Sequence, residues 1–238
     1  PGLMKYVERM GPEAGRKAYD ASFYGLEQIK ELIAEHGVEC EFEETGALHA
    51  AINQEHAKHL EGECETYRAM GFDATLVQGK ELEAEVRSPR YVAGMKFPHG
   101  AMLNPAKLAR EMKRVVEGAG AEVGERTLVV RVSPGKVHRI ETELGEISAP
   151  TLVLGLNGYS HRLGFFRNRV FPLCSYVIAT EPLSEAQWES VGWQNRQGLS
   201  DQRVLFTYQR PTVDGRIVIG GADYPYYAND GLSSGNNK

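Results

Sequence analysis

The sequence predicts an α+β fold: antiparallel strands with flanking helices. Three observations carry that expectation. Apolar residues recur at helical spacing in three capped segments. Period-two alternation and turn dipeptides dominate the last third of the chain. One short, wholly apolar run, 151–154, follows a helix and a meander, as a strand buried on both faces does. That last feature makes residues 101–163 an α/β-like unit within the α+β whole.

The first predicted helix carries Tyr19, Phe23, Leu26, Ile29 and Ile33 as one apolar stripe, with His36 in its last turn and Gly37 as the C′ residue. Alternation over 38–42 and again over 48–52, around Thr45-Gly46, predicts two antiparallel strands. A second helix opens at the N-cap Asn53 and stops at Gly71, with Ala57, Leu60, Cys64 and Tyr67 on its apolar face. A helical turn over 80–86 ends at Arg87-Ser88-Pro89, since the residue before proline avoids the helical region. A third helix has Asn104 as cap, Pro105 in the first turn and a stripe of Leu108, Met112, Val115 and Ala119. Then come strands over 127–132, 137–142 and 146–148, turning at Ser133-Pro134-Gly135 and Gly145, and the apolar run 151–154. Further on, 175–180 and 204–209 read as strands, and 216–219 returns across Asp214-Gly215, a strong hairpin dipeptide. Between them Ser184 and Gln187 form a capping box.

Composition narrows the function. The chain has 238 residues, 42% hydrophobic and 25% charged, with a formal net charge of −5. A duplex nucleic acid partner needs a basic footprint that this balance does not supply. No stretch approaches the ~20 apolar residues of a membrane span. There is no signal peptide pattern in Pro1-Gly2-Leu3-Met4-Lys5. Cys40, Cys64 and Cys174, odd in number and widely spaced, fit a reduced cytoplasmic chain better than a disulfide framework. The chain opens on Pro1 rather than Met and closes on Ser233-Ser234-Gly235-Asn236-Asn237-Lys238, so it reads as an excerpt of something longer.

Candidate chemistry is sparse. Gly118, Gly120 and Gly124 imitate a dinucleotide fingerprint, but the last spacing is one too long and a helix, not a strand, precedes them. They form a connector. His56, His59 and Cys64 share a helix where the apolar face meets solvent, and no metal site is expected of them. Glu41 and Glu43 read as a solvated strand face. No serine or cysteine nucleophile motif is present, and no catalytic residue is assigned. Two segments stand out. Gly155-Leu156-Asn157-Gly158-Tyr159-Ser160 leaves the apolar strand, where cofactors lie in nucleotide-binding folds; a tight strand exit without a ligand explains it equally well. Phe206, Tyr208 and Arg210 share one face of a strand, and an arginine flanked by aromatics suits a carboxylate or planar ring, although a surface arginine stacked on a tyrosine is the simpler alternative.

Three segments, in order, resemble FAD-dependent oxidoreductases of the D-amino-acid oxidase and sarcosine oxidase (DAO) family, most like its gamma-glutamylputrescine oxidoreductase branch. They are Gly100-Ala101-Met102-Leu103-Asn104-Pro105; the run from Gly120 through Thr127, Val129 and Val132 to Gly155, Asn157, Gly158 and Tyr159; and Tyr176 to Leu183 with Tyr208, Arg210, Asp214-Gly215 and Gly220-Gly221. The resemblance implies a substrate domain over 1–100 and 164–238, and a central segment of a Rossmann-type FAD domain over 101–163. It implies that Val129 gives backbone contacts to the adenine of FAD and that Gly155, Asn157 and Gly158 run beside the adenosine. Tyr176, Tyr208 and Arg210 would face the flavin or the substrate. The parent would oxidise the C–N bond of a small amine or amino acid by hydride transfer to FAD. The family's N-terminal Gly-x-Gly-x-x-Gly segment and glycine-rich C-terminal segment have no counterpart here, nor has the lysine that some relatives hold over the flavin. A fragment, inactive alone and self-associating through the surface left by missing segments, is therefore expected. The alternative is a non-catalytic module, derived from the substrate domain, that binds a small ligand or partner.

Overall fold

The computed structural model describes residues 3–170, 173 and 175–221. The mixed helix-and-strand architecture agrees with the expected α+β class. The described residues divide into two compact units, residues 3–115 with 176–221, and residues 116–170 with 173 and 175.

The first unit is a seven-stranded sheet with helices. It opens with α1 (Leu3–Met10) and α2 (Pro12–His36), which stops at Gly37 in the left-handed conformation. Then come β1 (Ala47–Ala51), α3 (Gln54–Ala69), β2 (Thr75–Val77), α4 (Gly79–Glu85), β3 (Ala93–Phe97) and α5 (Pro105–Gly118). After the second unit's β4 (Val129–Ser133), β5 (His138–Thr142) and β6 (Gly145–Ala149), the first resumes with β7 (Val177–Ala179), α6 (Glu185–Val191), β8 (Gly198–Asp201), β9 (Thr207–Pro211) and β10 (Ile217–Gly221). Spatial order in the sheet is β2-β3-β1-β8-β9-β10-β7. Every neighbouring pair is antiparallel except β1 and β8, which run parallel with Leu48 level with Leu199 and His49 with Ser200.

Alternation along β1 feeds two cores. Leu48 and Ala50 pack with Val77, Leu82, Val86, Trp193 and Leu199. Ala51 joins Leu3, Leu60, Cys64, Tyr67, Phe72 and Met95 beneath the helices. The apolar face of α3 buries as its spacing requires, and Asn53 Oδ1 accepts the His56 amide at 2.8 Å. Asn104 caps α5 by accepting the Ala106 and Lys107 amides, each at 3.2 Å. Ser184 and Gln187 form the expected capping box. β9 and β10 pair across Asp214-Gly215.

Four expectations require correction. Residues 38–42 are not a strand. Glu41 takes a φ of +54°, and the extended run leads only to an isolated bridge between Glu43 and Met102. β1 therefore pairs with β3 and β8, not with its predecessor. Nor do Glu41 and Glu43 form a solvated face: Lys107 pairs with Glu41 at 2.5 Å, and Arg196 forks onto Glu43 at 3.0 and 3.1 Å. The run 151–154 is not a buried strand, and Val153 is 86% exposed. Burial on both faces needs a place inside a sheet with a layer packed over each face, and among the described residues this run joins neither sheet. Finally α1, β2, β3 and β8 were not anticipated.

The second unit is the three-stranded meander β4-β5-β6, followed by a 3-10 turn over Asn157–Leu163. Its strands are short and mostly exposed, and Ile140 is their buried residue. Cross-strand ion pairs, Arg131 with Glu141 at 2.6 Å and Arg139 with Glu146 at 2.8 Å, tie the meander laterally.

Candidate functional site

Tyr208 and Arg210 alternate with Gln209 on β9, so both project from one face of the sheet. Register extends that face: Gly220 lies opposite Tyr208, and Val218 opposite Arg210, on β10. The Tyr208 ring lies over Gly220, where an added Cβ would stand 2.4 Å from ring carbons. Gly220 therefore makes room for the ring. Phe206 continues the aromatic face, its ring centroid 6.1 Å from that of Tyr208.

Arg210 is held rather than loose. Its Nη1 donates to the Leu103 carbonyl and its Nε to the Pro211 carbonyl at 3.2 Å. Those contacts leave the end-on edge, Nη2 and the second N–H of Nη1, to meet a ligand. Glu41 stands nearby. The Lys107 ammonium, the Asn104 amide and the charge of Arg210 together hold its carboxyl below the usual range, against partial desolvation.

Tyr176 stands one residue ahead of β7 and is 60% exposed. The β7–β10 register puts Val177, not Tyr176, in the row of Gly220 and Tyr208. The strand geometry thus unites Tyr208 and Arg210 and leaves Tyr176 at the edge.

In the second unit, Val129 is half-buried on β4 opposite Thr142, just before a register irregularity. Gly155 faces open space where a Cβ would be. Asn157 adopts a φ of +47°, and its carbonyl accepts the Ser160 hydroxyl at 2.7 Å. The Gly158 carbonyl lies 2.8 Å from His161 Nδ1. The backbone around Gly155 is therefore open to close approach. Among the described residues, no group of metal-ligating side chains converges. Cys174 and the tail after Gly221 lie outside the described residues.

One concavity of the first unit was not visible in the sequence. Beneath α1, α2 and α3, on the His49 side of β1, lies a cavity of about 810 Å³. Glu63 lines it from the middle of the α3 apolar face and is 4% exposed. The detectable signal was a carboxylate between Leu60 and Cys64 on a face otherwise apolar. The hydroxyls of Tyr19 and Tyr67 meet there at 2.5 Å, and burial pushes both phenols up.

Comparison with known proteins decides the family. The model of the DAO family, FAD dependent oxidoreductase, matches residues 2–237. The chain belongs to this family. A probable oxidoreductase OrdL from Haemophilus influenzae is 25% identical over 228 residues, covering 92% of this chain and 52% of its own length. The gamma-glutamylputrescine oxidoreductase of Escherichia coli is 27% identical over 217 residues, covering 89% of this chain and 50% of its own. The chain thus spans about half the length of the curated relatives it matches. Its fold resembles glycine oxidase from Geobacillus kaustophilus, with a TM-score of 0.70 at 19% identity over 90% of this chain and 57% of that one. L-proline dehydrogenase from P. horikoshii gives a TM-score of 0.66 at 18% identity over 84% and 54%. DAO members are FAD-dependent, as the resemblance implied. No helix among the described residues is long and apolar enough to cross a membrane.

Proposed function

We propose that this chain is the substrate-recognising part, with a central FAD-domain segment, of a longer cytoplasmic flavoenzyme that oxidises the C–N bond of a small amine or amino acid. The observation that carries the reading is the DAO match from residue 2 to residue 237. In this reading 1–100 and 164–238 are substrate domain, and 101–163 is FAD domain. Val129, Gly155, Asn157 and Gly158 would hold the adenosine side of FAD. The unfilled space at Gly155 and the left-handed Asn157 suit contact between main chain and a planar group. FAD, when bound there, would supply the hydride acceptor for the substrate carbon.

The remaining tasks fall to the protein. Arg210, fixed by Leu103 and Pro211, presents its end-on edge to a substrate carboxylate. Tyr208 and Phe206 wall the site, and Tyr176 closes its edge. Exclusion of water by these rings strengthens the contact between guanidinium and carboxylate. Ile178, Val204, Leu205 and Phe206 are exposed and apolar, so the chain expressed alone self-associates.

The test uses the flavoprotein that carries this chain. Arg210→Ala raises KM for a carboxylate-bearing amine at least tenfold, and leaves KM for an amine without a carboxylate nearly unchanged. An unchanged KM for the first substrate removes Arg210 from the site. Absence of a flavin absorbance band, with FAD added or not, overturns the reading as a whole.

A further inference from the structure

In the second unit, the 3-10 turn over Asn157–Leu163 leads into a loop whose backbone alternates in sign. Gly164 stands at a φ of +82°, Phe166 at +52° and Asn168 at +61°, while Phe165 and Arg167 between them keep negative values. A bulky residue such as phenylalanine with a positive φ is an outlier, and strain of this kind gathers where a loop is shaped to hold a ligand. Alternation between right- and left-handed residues gathers successive main-chain amides into a concave nest that suits an anion. The amides of Phe166, Arg167 and Asn168 donate to no described residue. The internal bonds of the loop lie to either side of them: Gly164 donates to the His161 carbonyl at 3.0 Å, Phe165 to the Ser160 carbonyl at 3.1 Å, and Arg169 to the Phe166 carbonyl at 3.0 Å. The surrounding charge has one sign. Between Glu146 and Glu181 the chain has no Asp or Glu, although its net charge is −5, and Arg162, Arg167 and Arg169 fall in that stretch. The Arg162 guanidinium lies over the Tyr159 ring, 4.9 Å from its centroid. Arg167 folds back over the loop, its Nη2 and Nε 3.8 and 3.9 Å from where a Cβ would stand on Gly164. Arg167 and Arg169 are exposed and have no ion pair or side-chain hydrogen bond with any described residue.

We propose that the loop from Gly164 to Arg169 is a binding site for the phosphate group of a small phosphomonoester, its oxygens accepting from the amides of Phe166, Arg167 and Asn168 and from the guanidinium groups of Arg167 and Arg169. A phosphomonoester brings three strong acceptor oxygens, spread in three dimensions, and close to two negative charges. Three amides and two guanidinium groups can meet it at once, and its charge balances the two arginines. A carboxylate brings one charge and two oxygens in a plane, so it leaves part of the nest unmet. A duplex nucleic acid needs a longer basic footprint than one loop. The site is distinct from the segment Gly155–Gly158 assigned to adenosine, and it does not depend on the flavin reading, because FAD holds its phosphates as a bridging diphosphate and carries no phosphomonoester.

Titration calorimetry of the purified chain with potassium phosphate, phenyl phosphate and sodium benzoate, in about 0.15 M KCl so that diffuse charge attraction is screened, tests it. Saturable one-to-one binding of phosphate and phenyl phosphate is expected, with benzoate at least tenfold weaker. Arg167→Gln and Arg169→Gln each weaken phenyl phosphate at least tenfold. Arg162→Gln removes the same charge from a side chain already engaged with Tyr159, and leaves binding within about twofold. No saturable binding of phenyl phosphate, a site that takes inorganic phosphate but refuses the ester, benzoate bound as well as the ester, equal weakening by Arg162→Gln and Arg167→Gln, or displacement of phenyl phosphate by FAD overturns the proposal. The last result would assign the loop to the cofactor. The ligand comparison on the parent protein decides the matter even where a variant fails to fold.

Discussion

Glu85 closes α4 with a carboxylate that is only 6% exposed, and three donors converge on it from afar in sequence. Lys96 Nζ donates to Oε1. Asn195 Nδ2 and Gln197 Nε2 donate to Oε2 at 2.7 and 3.0 Å. The loop ahead of β8 is thereby fastened to α4 and β3. The Lys96 side chain is 42% exposed, so that pair is screened and contributes at most about 1 kcal/mol. Hydrogen bonds to a charged acceptor contribute about 1.5 kcal/mol each at the lower end, and a buried donor left without a partner adds its desolvation cost. Glu85→Ala is therefore expected to cost about 3–4 kcal/mol. Glu85→Gln can keep its oxygen toward Asn195 and Gln197 and turn its amide toward Lys96, which swings into water; about 1 kcal/mol is lost. Urea unfolding followed by tryptophan fluorescence measures both. The chain's two tryptophans lie in the first unit, and Trp193 Nε1 donates to the Gln197 carbonyl at 3.1 Å, beside the network. A Glu85→Ala cost below about 1 kcal/mol, or equal costs for the two variants, would refute the reasoning.

Further perturbations test other parts of the same unit. Asn53→Ala removes the α3 cap and is expected to cost about 1 kcal/mol by denaturant midpoint, with no change in m-value. Gly46→Ala puts a Cβ 2.5 Å from the Phe97 carbonyl oxygen at a φ of +70°; a loss of at least about 2 kcal/mol should appear in the same assay. Burial alone would raise the Asp201 carboxyl, but hydrogen bonds from Arg203 and the Thr207 hydroxyl bring it below the ordinary aspartate value. A depressed folded-state pKa stabilises above the unfolded value, and the contribution disappears as pH falls through the folded one. Acid titrations of stability should thus lose part of their slope below the ordinary aspartate range in Asp201→Asn, and an unaltered acid limb would count against this pairing.

The elements legible in the sequence were those fixed by neighbours within four residues. Asn53, Asn104 with Pro105, and Ser184 with Gln187 mark helix starts through side chain-to-amide bonds that need nothing distant. The β9–β10 hairpin and the common face of Tyr208 and Arg210 follow equally from a local turn and a period of two. Strand partners were not legible where they are remote: Ala51 pairs with Ala93, and Ala47 with Gly198. Alternation over 38–42 misled because one left-handed residue, Glu41, suffices to break a strand, and its carboxylate meets Lys107 and Asn104, which are remote in sequence. The apolar run 151–154 carries a strand's composition without neighbours to bury it. Glu63 escaped because its meaning depends on β1 and α2 arriving over the same face of α3.

The parallel pairing of β1 with β8 sets an order on biosynthesis. β1 ends at Ala51 and β8 at Asp201, so about 150 residues must be translated between them, which takes roughly 8–30 s at ~5–20 residues per second. Through that interval β3 can protect one edge of β1, while the other presents unpaired amides and carbonyls. Leu48 and Ala50 also wait for Trp193 and Leu199. The nascent chain thus emerges with an open sheet edge beside a half-built core, the state in which it is most exposed to pairing with another chain.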